Sequence, residues 1–141
     1  MHILLGSYLQ RAIAGIAIAL VVGALVVTIC NTAWAIARGV PLLSLWDDAS
    51  IYQIIIASAA FVVLALVGVT SLRPWTVGLV QTGAFWGFYF YAITRPYEGG
   101  GVNIGLGILM MFSPIPIAGA SLISLIALRG RPKVDALAND S

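Results

Sequence analysis

The residues best suited to ligand binding lie in one stretch of the chain, from Gln81 to Asn103. This stretch holds six aromatic residues within seven positions, then a charged turn and three consecutive glycines. Tyrosine hydroxyls and indole N–H groups can supply the few polar contacts that an otherwise apolar ligand site needs. We interpret the stretch as the outer end of one membrane helix, a tight turn, and the start of the next helix.

A glycine face on the first of these two helices has two interpretations. At about 100° per residue, Gly83 and Gly87 fall on one face, with Trp86 and Phe90 beside them. The face either receives another helix or forms one wall of an apolar pocket for a lipid, a quinone or a similar ligand. The residues predicted to line such a pocket, between helices three and four, are Trp86, Tyr89, Asn103 and Met110.

Five charged residues fall in the segments predicted to lie on the outer side: Arg38, Asp47, Asp48, Arg95 and Glu98. One interpretation is a structural cluster that closes the outer end of the helices, in which an exposed pair contributes at most about 1 kcal/mol. The other is a binding site for an anion or a lipid headgroup at the two arginines. The adjacent aspartates can cap the second helix, and without a third ligand they make a poor cation site.

The elements that must position these residues are membrane helices. Hydrophobic residues make up 61% of the 141 residues and charged residues 9%, against about 45–50% and about 25% in soluble domains. A membrane-spanning helix needs about 20 mostly apolar residues. We therefore predict an all-α integral membrane protein, an antiparallel bundle of four transmembrane helices. The predicted spans are 12–37, 51–71, 76–94 and 102–128, followed by a short polar tail at 129–141 that we expect to be disordered.

The basic residues predict the orientation of the chain. With four spans, five of the seven Lys and Arg residues lie on the side that holds both termini, and only Arg38 and Arg95 lie on the other. Cytoplasmic loops of membrane proteins carry the excess of basic residues. Both termini are therefore predicted to be cytoplasmic, in a multi-pass protein of the cell membrane.

Two spans carry patterns that concern helix packing. The first has a ridge of small residues (Ala12, Gly15, Ala19 and Gly23), which favours close contact with a sister helix in the same chain or, alternatively, with a second copy. The fourth has Pro114 and Pro116 in its middle, which predicts a kink and freed carbonyl groups, with Ser113 as a candidate donor. The kink either only shapes the bundle or marks a binding site.

The sequence offers little for catalysis. The predicted spans hold no charged residue, the only histidine is His2, and the only cysteine is Cys30. We therefore predict no cofactor and no metal, and we do not expect an enzyme. The net charge of +2 is too small to indicate a nucleic-acid partner.

Two functions remain as expectations. The first is a small non-catalytic protein that serves as an accessory or scaffold subunit of a larger membrane complex or forms a homo-oligomer, with membrane lipids around it. The alternative is a module that binds or transports a lipid-like or neutral small molecule, with its site between helices three and four near the outer face.

Overall fold

The computed structural model describes residues 2–42, 48–95 and 104–129. The helices are α1 (His2–Arg38), α2 (Asp48–Leu66), α3 (Leu72–Thr94), α4 (Ile104–Phe112) and α5 (Pro114–Arg129). Since only Ser113 separates α4 from α5, the described residues form four helical rods. No strand occurs in these parts of the chain, and the all-α prediction is confirmed.

Among the described residues, two helical stretches are long and apolar enough to cross a membrane. They are Gly6–Arg38 and Ile104–Ala127, which correspond to the first and fourth predicted spans. The apolar stretch of α2, Ser50–Leu66, is shorter. The structure therefore supports two of the four predicted spans by length and composition, while the second and third spans stay predictions.

Glycines in the left-handed conformation end α1 and α2. Gly39 has φ +66° and Gly68 has φ +75°. After α1, Val40 N–H donates to the Ala35 carbonyl at 3.1 Å, and after α2, Val69 N–H donates to the Leu64 carbonyl at 3.0 Å. Each is the 6→1 hydrogen bond of a Schellman motif, in which glycine is the favoured residue at the left-handed position. Because Gly68 turns the chain here, α2 ends at Leu66, five residues before the predicted boundary of the second span.

The third helix begins earlier than predicted. Ser71 precedes it in extended conformation, and the helix starts at Leu72 rather than at 76. Pro74 therefore lies in the first turn of α3, where its missing N–H costs nothing because the first N–H groups of a helix have no partner inside it. The indole of the next residue, Trp75, donates to the Val69 carbonyl at 3.0 Å and fixes the turn between α2 and α3.

The rods form a four-membered ring in the order α1, α2, α5, α3, with the closest packing between α1 and α2. The contacts of Gly15 with Ala65 and of Gly23 with Ile54 show that α1 and α2 run in opposite directions. Residues late in α1 and late in α3 line one groove, so these two helices run in the same direction. We call the end of the bundle where α1 and α3 finish the outer end, and the opposite end the inner end.

The small-residue ridge of α1 packs against α2 in the same chain. Ala12 and Ala19 on the ridge are buried. A Cβ atom added at Gly15 would lie 2.7 Å from the Ala65 Cβ, and one added at Gly23 would lie 2.9 Å from the Ile54 carbonyl oxygen. The ridge therefore serves contact with a sister helix, the first of the two interpretations offered by the sequence.

The break between α4 and α5 lies at the two prolines, as the sequence predicts. The Met110 carbonyl, which Pro114 cannot reach with an N–H, accepts hydrogen bonds from the Ser113 hydroxyl at 2.8 Å and from the Ser113 N–H at 3.3 Å. Ser113 is thus the donor that the sequence suggests. Its bonds leave this carbonyl satisfied without help from a neighbouring helix or water.

Candidate functional site

An aromatic cluster on α3 forms the core of the outer half of the bundle. Trp86 is fully buried, and Tyr89 and Phe90 are buried beside it. The ring centroids of Trp86 and Tyr89 are 5.3 Å apart at 66°, and those of Tyr89 and Phe90 are 5.4 Å apart at 87°. These edge-to-face arrangements are the ones that aromatic pairs favour. The aromatic residues that the sequence singles out are therefore largely packed against one another.

Three of the four predicted pocket residues belong to this cluster or pack against it. Val27 of α1, Ala57 of α2 and Leu106 of α4 complete its buried part, and Met110 packs against it. Trp86 and Tyr89 are thus parts of a packed core, and a ligand site at these residues stays a prediction. Asn103, the fourth predicted residue, lies outside the described residues.

A groove runs between the outer halves of α1 and α3, next to the aromatic cluster. Its volume is about 240 Å³. Small residues, among them Ala33, Ala37 and Gly87, form part of its lining, and Trp34, Phe90 and Tyr91 supply aromatic walls. A Cβ atom added at Gly87 or at Gly83, one turn earlier, would meet no atom within 4 Å. Within residues 2–42, 48–95 and 104–129, the glycine face of α3 is therefore open, and none of the described helices fills it.

Part of the predicted outer charge cluster can be located. The guanidinium of Arg95 donates a hydrogen bond to the Tyr91 hydroxyl and lies 4.6 Å from the centre of the Tyr91 ring, which is a cation–π contact. Arg38 ends α1, next to Ala37 of the groove. Both arginines therefore lie at the outer end of the groove. Asp47, Glu98 and the side chain of Asp48 lie outside the described residues, so their part in the cluster stays a prediction.

Several buried polar atoms have no hydrogen-bond partner among the described residues: Trp34 Nε1, Gln53 Oε1, Thr82 Oγ1 and Trp86 Nε1. A buried polar group without a partner costs free energy, typically about 1–3 kcal/mol. Trp34 also lines the groove between α1 and α3, but its Nε1 atom is itself buried.

The α1 side of the groove was not among the predicted site residues. Its lining residues occur at the i, i+3, i+4, i+7 spacing of one helix face: Cys30, Ala33, Trp34 and Ala37. This spacing indicates a common face, from which the α1 side could be predicted. The predicted site used the aromatic residues of α3 and lay on the side of α3 that was expected to face α4.

The described residues contain no group of three or more His, Cys, Asp or Glu side chains that could hold a metal ion.

The described residues define a helical protein of four rods. Two of its described helices are long and apolar enough to cross a membrane, and an open groove with aromatic walls lies between α1 and α3. No protein-family model, curated protein or solved structure matches the chain.

Proposed function

We propose that the protein is an integral membrane protein with four spans and cytoplasmic termini, and that it acts as an accessory or scaffold subunit through helix contacts. Its partner is a transmembrane helix of a larger membrane complex or of a second copy. The partner helix lies along the Gly83–Gly87 face of α3. One of its side chains enters the groove between α1 and α3.

The observation that carries the proposal is the open glycine face beside the groove. Atoms of α2 occupy the space beside Gly15 and Gly23 of α1. A Cβ atom added at Gly83 or Gly87, in contrast, has no described atom within 4 Å. In lipid, helices associate through close backbone approach at small residues and through hydrogen bonds between helices.

The four spans and their orientation have a direct test. Reporter domains that are active on only one side of the membrane can be fused after the C-terminus and into the predicted outer loops. We expect the C-terminal fusion to report from the cytoplasm and fusions after Leu42 or between Arg95 and Ile104 to report from outside. A C-terminal fusion that reports from outside would contradict the proposed orientation.

We expect the double substitution Gly83→Leu and Gly87→Leu to abolish the proposed association. Two leucines on this face would keep the partner backbone away from α3, because each fills the space that the glycines leave. The expected loss of the associated species is at least about tenfold, since each 1.4 kcal/mol of contact energy is a factor of ten. The measurement is native mass spectrometry from mild detergent, together with crosslinking in the membrane.

The matched control is Gly107→Leu, because a Cβ atom at Gly107 also meets nothing within 4 Å and lies on a different helix. This variant should keep the wild-type distribution of species. An unchanged distribution in the Gly83/Gly87 double variant, or a wild-type protein that is strictly monomeric in membranes and has no partner, would argue against the proposal.

The packing between helices three and four argues against the ligand-binding alternative predicted for that region. Trp86 and Tyr89 are buried against each other and Met110 packs against their cluster, so a ligand there would have to displace these side chains. Native mass spectrometry also tests this alternative. A small molecule that stays bound and is lost on a Met110 substitution would restore it.

A further inference from the structure

A cavity, which we call the inner cavity, lies at the inner end of the bundle, between the first turns of α1 and the connection from α2 to α3. Its volume is about 180 Å³. Arg11 of α1 and Thr70 are among its lining residues. No aspartate or glutamate occurs among its described lining residues. A guanidinium and a hydroxyl group without a carboxylate suit an anion, above all a phosphate.

A larger apolar groove adjoins this cavity. It has a volume of about 370 Å³ and is lined mainly by aliphatic side chains, among them Ile18 and Val22 of α1 and Leu72 and Leu79 of α3. Thr70 and Trp75 line both spaces, so the two spaces lie side by side. A cavity that holds Arg11 and Thr70 therefore adjoins an apolar groove that runs towards the middle of the bundle.

Trp75 is held firmly at the point where the two spaces meet. Its indole N–H donates to the Val69 carbonyl at 3.0 Å, and its ring stacks on Phe61 with centroids 5.9 Å apart. The wall of the cavity is also tied to α2, because the Tyr8 hydroxyl donates to the Leu66 carbonyl. Trp75, which lines both spaces, and Tyr8, which lines the inner cavity, therefore have fixed partners before a ligand binds. Side chains that are already ordered lower the entropy that binding must offset.

From this arrangement we infer that the inner end binds one anionic phospholipid of the cytoplasmic leaflet. The phosphate lies in the inner cavity against Arg11, with the hydroxyl of Thr70 as a further donor. One acyl chain lies in the apolar groove against Ile18 and Leu79. The adjacent positions of the two spaces favour a lipid over a free phosphate, because a free phosphate leaves the apolar groove empty. The inference rests on the proposed membrane insertion but is independent of the proposed helix partner.

The test is native mass spectrometry of the full-length protein in mild detergent, titrated with phosphatidylglycerol or phosphatidylcholine. We expect a single phosphatidylglycerol adduct that binds at least about tenfold more tightly than phosphatidylcholine. Arg11→Gln should remove this preference. Arg73→Gln is the matched control, because Arg73 lies at the same end but does not line the cavity.

A second pair of variants tests the apolar groove. Ile18→Trp should fill the groove and weaken the phosphatidylglycerol adduct, whereas Ile13→Trp should not, since Ile13 is similarly exposed but lines neither space. Soluble glycerol 3-phosphate should compete poorly. The inference is overturned if Arg73→Gln weakens the adduct as much as Arg11→Gln, if both lipids bind equally, or if glycerol 3-phosphate competes as well as the lipid.

The same spectra separate this inference from the proposed function. A monomeric protein that still retains phosphatidylglycerol through Arg11 would contradict the helix partner and leave the lipid site in place. An oligomer whose phosphatidylglycerol adduct is unchanged by Arg11→Gln would support the helix partner and contradict the lipid site.

Discussion

Replacing Gly23 with alanine is expected to destabilise the bundle by about 2 kcal/mol or more, which is within the usual cost of overpacking a core. A Cβ atom at this position would fall on the Ser58 hydroxyl and lie 2.9 Å from the Ile54 carbonyl oxygen and 3.0 Å from the Ser58 nitrogen. Two of these three atoms belong to the backbone of α2, so a side-chain rotation cannot relieve the contact. The measurement is thermal unfolding in detergent, followed by circular dichroism.

A graded set of glycine variants separates this clash from a general effect of alanine. Alanine stabilises an isolated helix by about 1 kcal/mol relative to glycine, and Gly107→Ala should show this gain alone because its Cβ meets no atom within 4 Å. Gly15→Ala should fall between the two, since its added Cβ would lie 2.7 Å from the Ala65 Cβ. Equal stability of all three variants would mean that α1 and α2 do not approach as closely as the structure places them.

Adding Ser58→Ala to Gly23→Ala should recover part of the lost stability. The Ser58 hydroxyl donates to the Ile54 carbonyl at 2.7 Å within α2, so its removal frees space without breaking a contact between helices. The recovery should be incomplete, because the Ile54 carbonyl oxygen remains beside the added Cβ. Full recovery would show that the backbone contact is not what limits the approach.

The packing of α1 on α2 could be predicted from the sequence because it depends on local spacing. Small residues four positions apart face one side of a helix, and that side must meet something that needs close approach. The choice between a sister helix and a second copy could not be made, since it depends on which surface α2 presents. In the structure, Ala65 and the Ile54–Ser58 turn of α2 fill the two glycine positions.

The candidate site was only partly predictable. That Trp86, Tyr89 and Met110 lie together followed from the expected neighbourhood of helices three and four. Whether aromatic rings line a cavity or fill one depends on the relative positions of four helices, which periodicity does not determine. The lining of the inner cavity could not be predicted from the sequence for a related reason. Arg11 and Thr70 are 59 positions apart, and only the fold makes them line one space.

The ends of the helices show the same division between local and distant causes. The end of α1 at Arg38 was predicted from Gly39, because a glycine after a helix indicates its end. Gly68 carries the same signal, but it lies within an apolar run that suggests a longer span. The backbone conformation at Gly68 overrides the apolar pattern, and α2 ends at Leu66.

Replacing Trp86 with alanine is expected to cost about 3–5 kcal/mol, the range for removing a large aromatic side chain from a core. Trp86 is fully buried, and its ring contacts Phe85, Tyr89 and Phe90 at centroid distances of 5.8, 5.3 and 5.9 Å. In the membrane that we propose for this protein, the surrounding lipid is itself apolar, so the cost comes from the cavity and the lost dispersion contacts rather than from exposure to water. The measurement is again thermal unfolding, with Phe88→Ala as the control because Phe88 is 55% exposed.

Trp86→Phe distinguishes a packing role from a ligand-binding role for this residue. The indole nitrogen has no hydrogen-bond partner among the described residues, so phenylalanine keeps most of the ring contacts and removes an unsatisfied buried donor. A packing role therefore predicts a clearly smaller loss of stability for Trp86→Phe than for Trp86→Ala, because phenylalanine leaves the smaller cavity. If Trp86→Ala left the unfolding temperature unchanged but released a bound small molecule, Trp86 would be a ligand contact, and the binding alternative would replace the scaffold proposal.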